Sequence, residues 1–181
     1  MMPTLTKRMT EEEFMRLPDD GYRYELVDGE PKRMSTNWKH DLIGGNVHAI
    51  IRPFARGRGY MSIGQTGFRM ISSNVRNPDI SFTVKERVAN QEVFNGFGPS
   101  SPDLCIEVIS PSEEPADMAR KVREYFASGA RVVWQMFPET ETIKVYTSPE
   151  DFTIYTAQNE IDCPDLLPGF RVTVAELFKL E

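Results

Sequence analysis

The stretch that decides the fold is Pro102-Asp103-Leu104-Cys105-Ile106-Glu107-Val108-Ile109-Ser110-Pro111-Ser112. Residues 104–109 form a dense apolar run broken by one acid, and Ser110-Pro111 ends it. A short run of this kind, apolar on both faces, is expected as a central strand buried in a sheet. Side chains alternate along a strand, so Leu104, Ile106 and Val108 share one face and Asp103, Cys105, Glu107 and Ile109 the other. Glu107 therefore lies where burial is expected, and a buried carboxylate needs a cation, a hydrogen-bond network or a metal.

A second carboxylate sits at the head of another strand pattern. In 79–84, Ile80, Phe82 and Val84 alternate with Asp79, Ser81 and Thr83. If the two strands are neighbours, Asp79 and Glu107 converge and offer oxygen ligands to a hard divalent ion. The run 116–128 follows as a helix closed by Gly129, with Met118, Val122, Tyr125 and Phe126 as its apolar face. Lys121 falls on the shoulder of that face, while Arg120, Arg123 and Glu124 are expected nearer solvent. From the shoulder a lysine buries its stem and returns its ammonium over the sheet edge. Beside two acids and a metal it would orient water or neutralise charge on a phosphorus centre. The plain alternative is that such residues are solvated surface, or that Glu107 and Lys121 form a structural ion pair.

Around this centre the chain reads as a mixed α/β domain. Thr10 with Glu13 has the form of a capping box opening a helix over 10–17. A strand at 22–27 runs into the turn Asp28-Gly29. Leu42, Val47, Ile50, Ile51 and Phe54 mark a helix over 36–56, although Gly44-Gly45 and Pro53 weaken the pattern. Segments 60–63 and 67–71 are expected to form the next strand pair, and 85–100 a polar loop. Further strands are expected at 131–137, 142–146 and 152–156, with a tail helix over 174–180. Nothing resembles a repeat or a linker, so 1–181 is expected to be a single domain.

Hydrophobic residues make up 40% and charged residues 27% of the 181, a globular balance, and the formal net charge is −6. That charge argues against coating nucleic acid through general basicity, but a metal-holding nuclease site must itself be acidic. The densest basic stretches are Lys32, Arg33 and Lys39, then Arg52, Arg56 and Arg58, which either meet substrate phosphates or are ordinary solvated surface. Cys105 reads as a buried thiol, and Cys163, the other cysteine, forms no CxxC pair with it. The start of the chain lacks the apolar core of a signal peptide, and no stretch approaches a membrane span. A cytoplasmic protein without a membrane partner is expected.

The ordered set Tyr24-Glu25-Leu26-Val27-Asp28-Gly29, His40, Pro78-Asp79-Ile80, the 102–112 stretch, Lys121 with Tyr125, Gly129 followed by Trp134, and Leu167-Pro168-Gly169-Phe170 resembles the Uma2 family (DUF820) over nearly the whole chain. That resemblance implies the restriction-endonuclease-like fold of the PD-(D/E)xK superfamily, a mixed sheet flanked by helices. It further implies an endonuclease that hydrolyses DNA phosphodiester bonds with Mg²⁺, for which Mn²⁺ substitutes. Pro78-Asp79 matches the PD element and Glu107 the second acid, so Asp79 and Glu107 are the implied metal ligands. The superfamily's usual lysine would fall at Ile109, which cannot serve, and the resemblance moves that role to Lys121. Phe137 stands where relatives carry an acid.

Glu25 and His40 are auxiliary candidates, with a cross-strand salt bridge and a packing histidine as their alternatives. His48 reads as packing. Asp103 is either a supporting acid or a strand-entry residue, and Ser110 and Ser112 either contact phosphate or cap the loop. A homodimer would suit cutting of both strands, with exposed strands after residue 131 as its interface. The function from a different class is a nuclease-fold protein that binds nucleic acid or a protein partner without cutting.

Overall fold

The computed structural model describes residues 8–34, 37–88 and 95–180. The start of the expected 36–56 helix and part of the 85–100 loop lie outside the described residues. The elements are α1 (Glu11–Met15), β1 (Tyr24–Val27), β2 (Glu30–Arg33), α2 (Trp38–Ala55), β3 (Gly59–Ile63), β4 (Phe68–Arg69), β5 (Val75–Arg76), β6 (Ile80–Val84), β7 (Leu104–Val108), α3 (Pro115–Ala127), β8 (Val132–Phe137), β9 (Thr142–Tyr146), β10 (Phe152–Tyr155), β11 (Glu160–Asp162), β12 (Arg171–Thr173) and α4 (Val174–Leu177).

The central sheet has the order β10-β9-β8-β7-β6-β3, so the 102–112 stretch does sit in its interior. Its pairs are antiparallel except β7 with β8, which run parallel and are joined across α3. A parallel pair needs such a crossover, and the helical pattern after Pro115 supplies it. Leu104, Ile106 and Val108 pack with Ile80, Phe82, Trp134 and Met136 against Ile43, Val47 and Ile51 of α2. Each of those three α2 side chains is fully buried, a contribution of about 1.5–3 kcal/mol apiece by area. On the other face Cys105 and Val133 meet Val122 and Tyr125 of α3. The alternation read from the sequence thus divides the two cores.

A second sheet, β2-β1-β5-β4, lies apart from the central one. The Asp28-Gly29 turn joins β1 and β2 with φ of 54° and 79°, the left-handed pair that a tight hairpin demands. The expected pairing of 60–63 with 67–71 does not occur. β3 pairs with β6, whereas β4 pairs with β5 in the second sheet. Two-residue strands carry too little alternation to reveal their partners. The C-terminal region also differs, because α4 is a single turn over Val174–Leu177, preceded by the β11–β12 hairpin. Leu167 and Phe170 enter the α2-side core and hold that hairpin down. Of the strands after residue 131, β8 and β9 are interior, and β10, where Phe152 and Ile154 are exposed, is one edge of the central sheet, β3 being the other.

Gly59 begins β3 where a Cβ would collide with the Thr83 carbonyl oxygen and the Phe82 ring. Both belong to β6, which is fixed between β3 and β7. Gly59→Ala is expected to cost about 1–3 kcal/mol, read as a lower midpoint in urea with an unchanged m-value.

Candidate active site

β6 and β7 pair with Ile80 opposite Ile106 and Ser81 opposite Cys105. Continuing that register by one step sets Asp79 opposite Glu107. Asp79 is held at the strand entrance by two contacts to one oxygen. Its Oδ2 accepts the Val108 N–H at 2.8 Å and lies 3.1 Å from His40 Nε2. Glu107 lies deeper, 3% exposed, and its two oxygens are divided between partners on α3. Lys121 Nζ donates to Oε2 at 3.2 Å, and the Tyr125 hydroxyl donates to Oε1. Tyr125 follows Lys121 by one helical turn, so both groups come from one face of α3.

The Lys121 ammonium is also 3.7 Å from Glu113 and 3.8 Å from Glu25. Glu25 is in turn bound by Arg76 at 2.8 Å and by the Asn77 N–H at 3.0 Å. Its cross-strand salt bridge therefore exists, made to β5, and it coexists with a place in the site. Arg76 continues to Glu124 at 2.6 Å, and Arg120 joins Glu124 to Asp28. Glu124 and Arg120 consequently face the second sheet rather than solvent. Helical periodicity placed them outward because it sees only the central sheet as a packing partner.

The electrostatics follow from burial of unequal charges. Burial pushes Glu107 up to about 7, Asp79 and Glu25 add to the rise, and Lys121 and Tyr125 oppose it. For Glu25 burial also favours the neutral form, but Lys121 and Arg76 outweigh it and hold the group below its ordinary value. Burial opposes the charge on Lys121, yet Glu107, Glu25 and Glu113 raise it above the usual lysine value. Burial is the largest single influence on His40 and lowers it, but the hydrogen bonds and charges of Asp79 and Asp41 together outweigh it and hold the imidazole above its ordinary value. Lys121 stays charged at neutral pH while Glu107 titrates there.

These side chains open into a cavity of about 260 Å³ that Lys32, Arg33, Ser110 and Ser112 also line. The structure thus brings together Asp79, Glu107, Lys121, Glu25 and His40. Ser110 and Ser112 are hydrogen-bonded to each other at 3.0 Å on the cavity rim. Asp103 is not part of the site. It stands at the opposite end of β7, where its carboxylate accepts the Val84 N–H and pairs with Arg87. Asp103→Asn is expected to lower thermal stability while leaving any cleavage rate per folded molecule within about twofold, because the change lies outside the site; a rate assay on protein quantified by folded fraction checks this.

His48 lies half-buried in α2, lowered by burial and by Arg52, as a packing residue should be. Arg52 and Arg56 lie three to four turns along α2 from His40, too far to line this cavity, and Lys39 is tied to Glu139. Phe137 packs under the Lys144 ammonium. Arg76 and Glu113 escaped the sequence reading. Only the second sheet and the loop before α3 bring them in, and neither has a legible period.

A family model, Uma2, described as "Putative restriction endonuclease", matches residues 11–175. The chain belongs to the Uma2 family. Its fold is shared with the crystal structure of a "putative nuclease belonging to DUF820" from Anabaena variabilis ATCC 29413. The two agree with a TM-score of 0.78 at 19% identity, over 95% of this chain and 98% of that one. None of the curated proteins matches. The Uma2 architecture here is the mixed sheet flanked by helices that the restriction-endonuclease-like resemblance implies. No helix among the described residues is long and apolar enough to cross a membrane.

Among the described residues no group of three or more His, Cys, Asp or Glu side chains is arranged to hold a metal ion on its own. Arg76 occupies Glu25, and His40 is turned onto Asp79. Glu113, Glu114 and Asp117 also line the cavity, but Asp79 and Glu107 are the two carboxylates brought opposite each other by the β6–β7 register. That donor set fits Mg²⁺, which keeps several waters and is commonly held by one or two carboxylates with substrate phosphate. The raised Glu107 points the same way, because its burial is left only partly compensated by Lys121 and Tyr125.

Proposed function

We propose that this Uma2 protein is a divalent-metal-dependent endonuclease that hydrolyses DNA phosphodiester bonds. The observation that supports it most is the placing of Asp79 and Glu107 side by side on two adjacent interior strands with the Lys121 ammonium 3.2 Å from Glu107. In this reading Asp79 and Glu107 hold Mg²⁺, or Mn²⁺ in its place. The ion supplies positive charge to the scissile phosphate and makes neighbouring water a better nucleophile at neutral pH. Val108 N–H and His40 fix the orientation of Asp79, and Tyr125 fixes that of Glu107. Lys121, permanently charged, orients the attacking water or offsets charge growing on the phosphate oxygens. Lys32 and Arg33 at the cavity wall neutralise flanking phosphates. We extend the proposal to a homodimer, for which β10 offers one open sheet edge.

The direct test is cleavage of plasmid DNA by the purified protein with Mg²⁺, with Mn²⁺ and with EDTA. Metal-dependent conversion to nicked or linear product is expected, and its absence from the wild type under all three conditions contradicts the reading. One observation favours a second function, that of a nuclease-fold protein which binds without cutting: Lys121 already pairs with Glu107 inside the site. Calorimetric titration separates the two, since a non-cutting protein of this kind would bind no Mg²⁺ or Mn²⁺ at the acidic pair.

A further inference from the structure

A second cavity, of about 680 Å³ against the 260 Å³ at Asp79, lies over β3 and β6. Its floor comes from that strand pair. Tyr60 stands opposite Thr83 and Ser62 opposite Ser81, and directly opposed residues share a face. The Ser62 and Ser81 hydroxyls are hydrogen-bonded to each other at 2.6 Å. Alternation along β6 puts Asp79 on the same face, two residues or about 7 Å before Ser81. Asp79 lines one cavity and Ser81 the other, so the two sites follow one another along β6. The far wall carries the Phe68 and Phe97 rings. Phe68 fills the space that a Cβ on Gly98 would need, and Phe97 the space of one on Gly67. The Gly98 N–H donates to the Gly67 carbonyl at 2.8 Å, and Arg69 holds the Phe97 carbonyl at 2.8 Å. Both rings are therefore fixed before any ligand arrives, which lowers the cost of binding one.

The lining states the chemistry of the occupant. Among the described residues no Asp, Glu, His or Lys lines this cavity. Its one cation, Arg87, is already committed to Asp103, the Ser100 hydroxyl and the Ser101 carbonyl. What remains is aromatic rings with neutral hydroxyls and the Gln65 amide. Such a pocket selects a group that is uncharged, flat enough to lie on rings and edged with hydrogen-bonding atoms. Beside a site that holds phosphate, the uncharged flat group covalently joined to that phosphate is a nucleobase. A base stacked and paired inside a duplex is not free to enter, whereas an unpaired or extruded one is. Resting on the nuclease reading above, we propose that this cavity is a nucleobase pocket, which takes one unpaired base of the strand whose phosphate lies at Asp79.

The test is an anisotropy titration of the whole protein in EDTA, which separates binding from cleavage. The probes are labelled dT15 and an abasic strand of the same length, which carries the same phosphates without the bases. The wild type is expected to bind dT15 about 10- to 100-fold more tightly, the range that stacking of a base on aromatic side chains supports. Thr83→Trp adds an indole to the cavity floor. It should bring dT15 down to the affinity of the abasic strand while the abasic strand itself binds as before. Tyr60→Leu removes the floor ring at an exposed position and should lower the preference in the same direction, and Tyr60→Phe should keep it. A central mismatch in a duplex should tighten binding to the wild type, because unpairing costs least there, and should not do so for Thr83→Trp. Equal binding of the two strands by the wild type overturns the proposal. So does a preference kept by folded Thr83→Trp and Tyr60→Leu, or wild-type cleavage by folded Thr83→Trp. A preference that Thr83→Trp abolishes, in a wild type that cuts nothing in metal, supports the pocket while counting against the nuclease reading.

Discussion

Asp79→Asn and Glu107→Gln proteins are expected to lose metal-dependent DNA cleavage by at least about 10²–10³-fold, the size of effect seen when a site loses one charge-stabilising group. The two should nevertheless differ in stability. In the metal-free protein burial holds Glu107 at about 7, above its ordinary value of 4.5. A group raised in this way favours the fold below its unfolded value, and that contribution is lost as pH rises through the folded one. The metal-free wild type should therefore lose stability between about pH 4.5 and 7, and at pH 8 it carries the full cost of an ionised Glu107. Glutamine keeps the shape and an acceptor for Tyr125 without the charge. Glu107→Gln is thus expected to be more stable than wild type at pH 8 by on the order of 2 kcal/mol, or about 4–8 °C in thermal midpoint. Adding Mg²⁺ should raise the wild-type midpoint and leave the Glu107→Gln midpoint nearly unmoved. Calorimetric melting with and without metal checks each of these results. Metal-dependent cleavage retained by folded Glu107→Gln would falsify its role as a ligand.

Lys121→Met is expected to have the opposite effect on stability while sharing the loss of activity. The ammonium lies among Glu107, Glu25 and Glu113, and among the described residues no other cation pairs with all three. Removing one partner of a buried charge cluster leaves the others uncompensated, at a cost of about 3–5 kcal/mol. Some of that cost is relieved if Glu107 takes up a proton, because Lys121 is the main group pulling its value down. The variant should consequently melt about 6–20 °C lower at pH 8 and recover part of the difference at pH 6. Its cleavage should fall at least about 10²-fold at a temperature where it is fully folded. A Lys121→Met protein that melts like the wild type would show that the ammonium does not compensate these acids. One that still cuts would remove Lys121 from the mechanism and leave it a structural cation.

The centre of the fold was legible because it rests on two simple periods. Alternation in 104–109 and 79–84 separated the core residues from Asp79 and Glu107, and burial of a lone acid in the first run marked it as special. The 3.6-residue period of α3 then put Lys121 on the correct shoulder. What the sequence did not disclose lies where periods are too short to count. β4 and β5 have two residues each, so neither their sheet nor the position of Arg76 could be read. Without that sheet, Arg120 and Glu124 had no visible partner and were placed in solvent. Asp103 and Glu107 share a strand face, yet four residues of extended chain separate them by about 13 Å, which puts one at the β6–β8 entrance and the other in the site. Lys121 matches no lysine two residues after the second acid. Its place depends on the β7–α3 crossover, a tertiary feature.

The most direct test of the central claim is a crystal structure grown with Mn²⁺ and recorded at its absorption edge. An anomalous peak between the Asp79 and Glu107 carboxylates is expected, about 2.0–2.3 Å from an oxygen of each, with Lys121 moved off Glu107 toward the water or phosphate site. A map without a peak there, with Lys121 still 3.2 Å from Glu107, would contradict it.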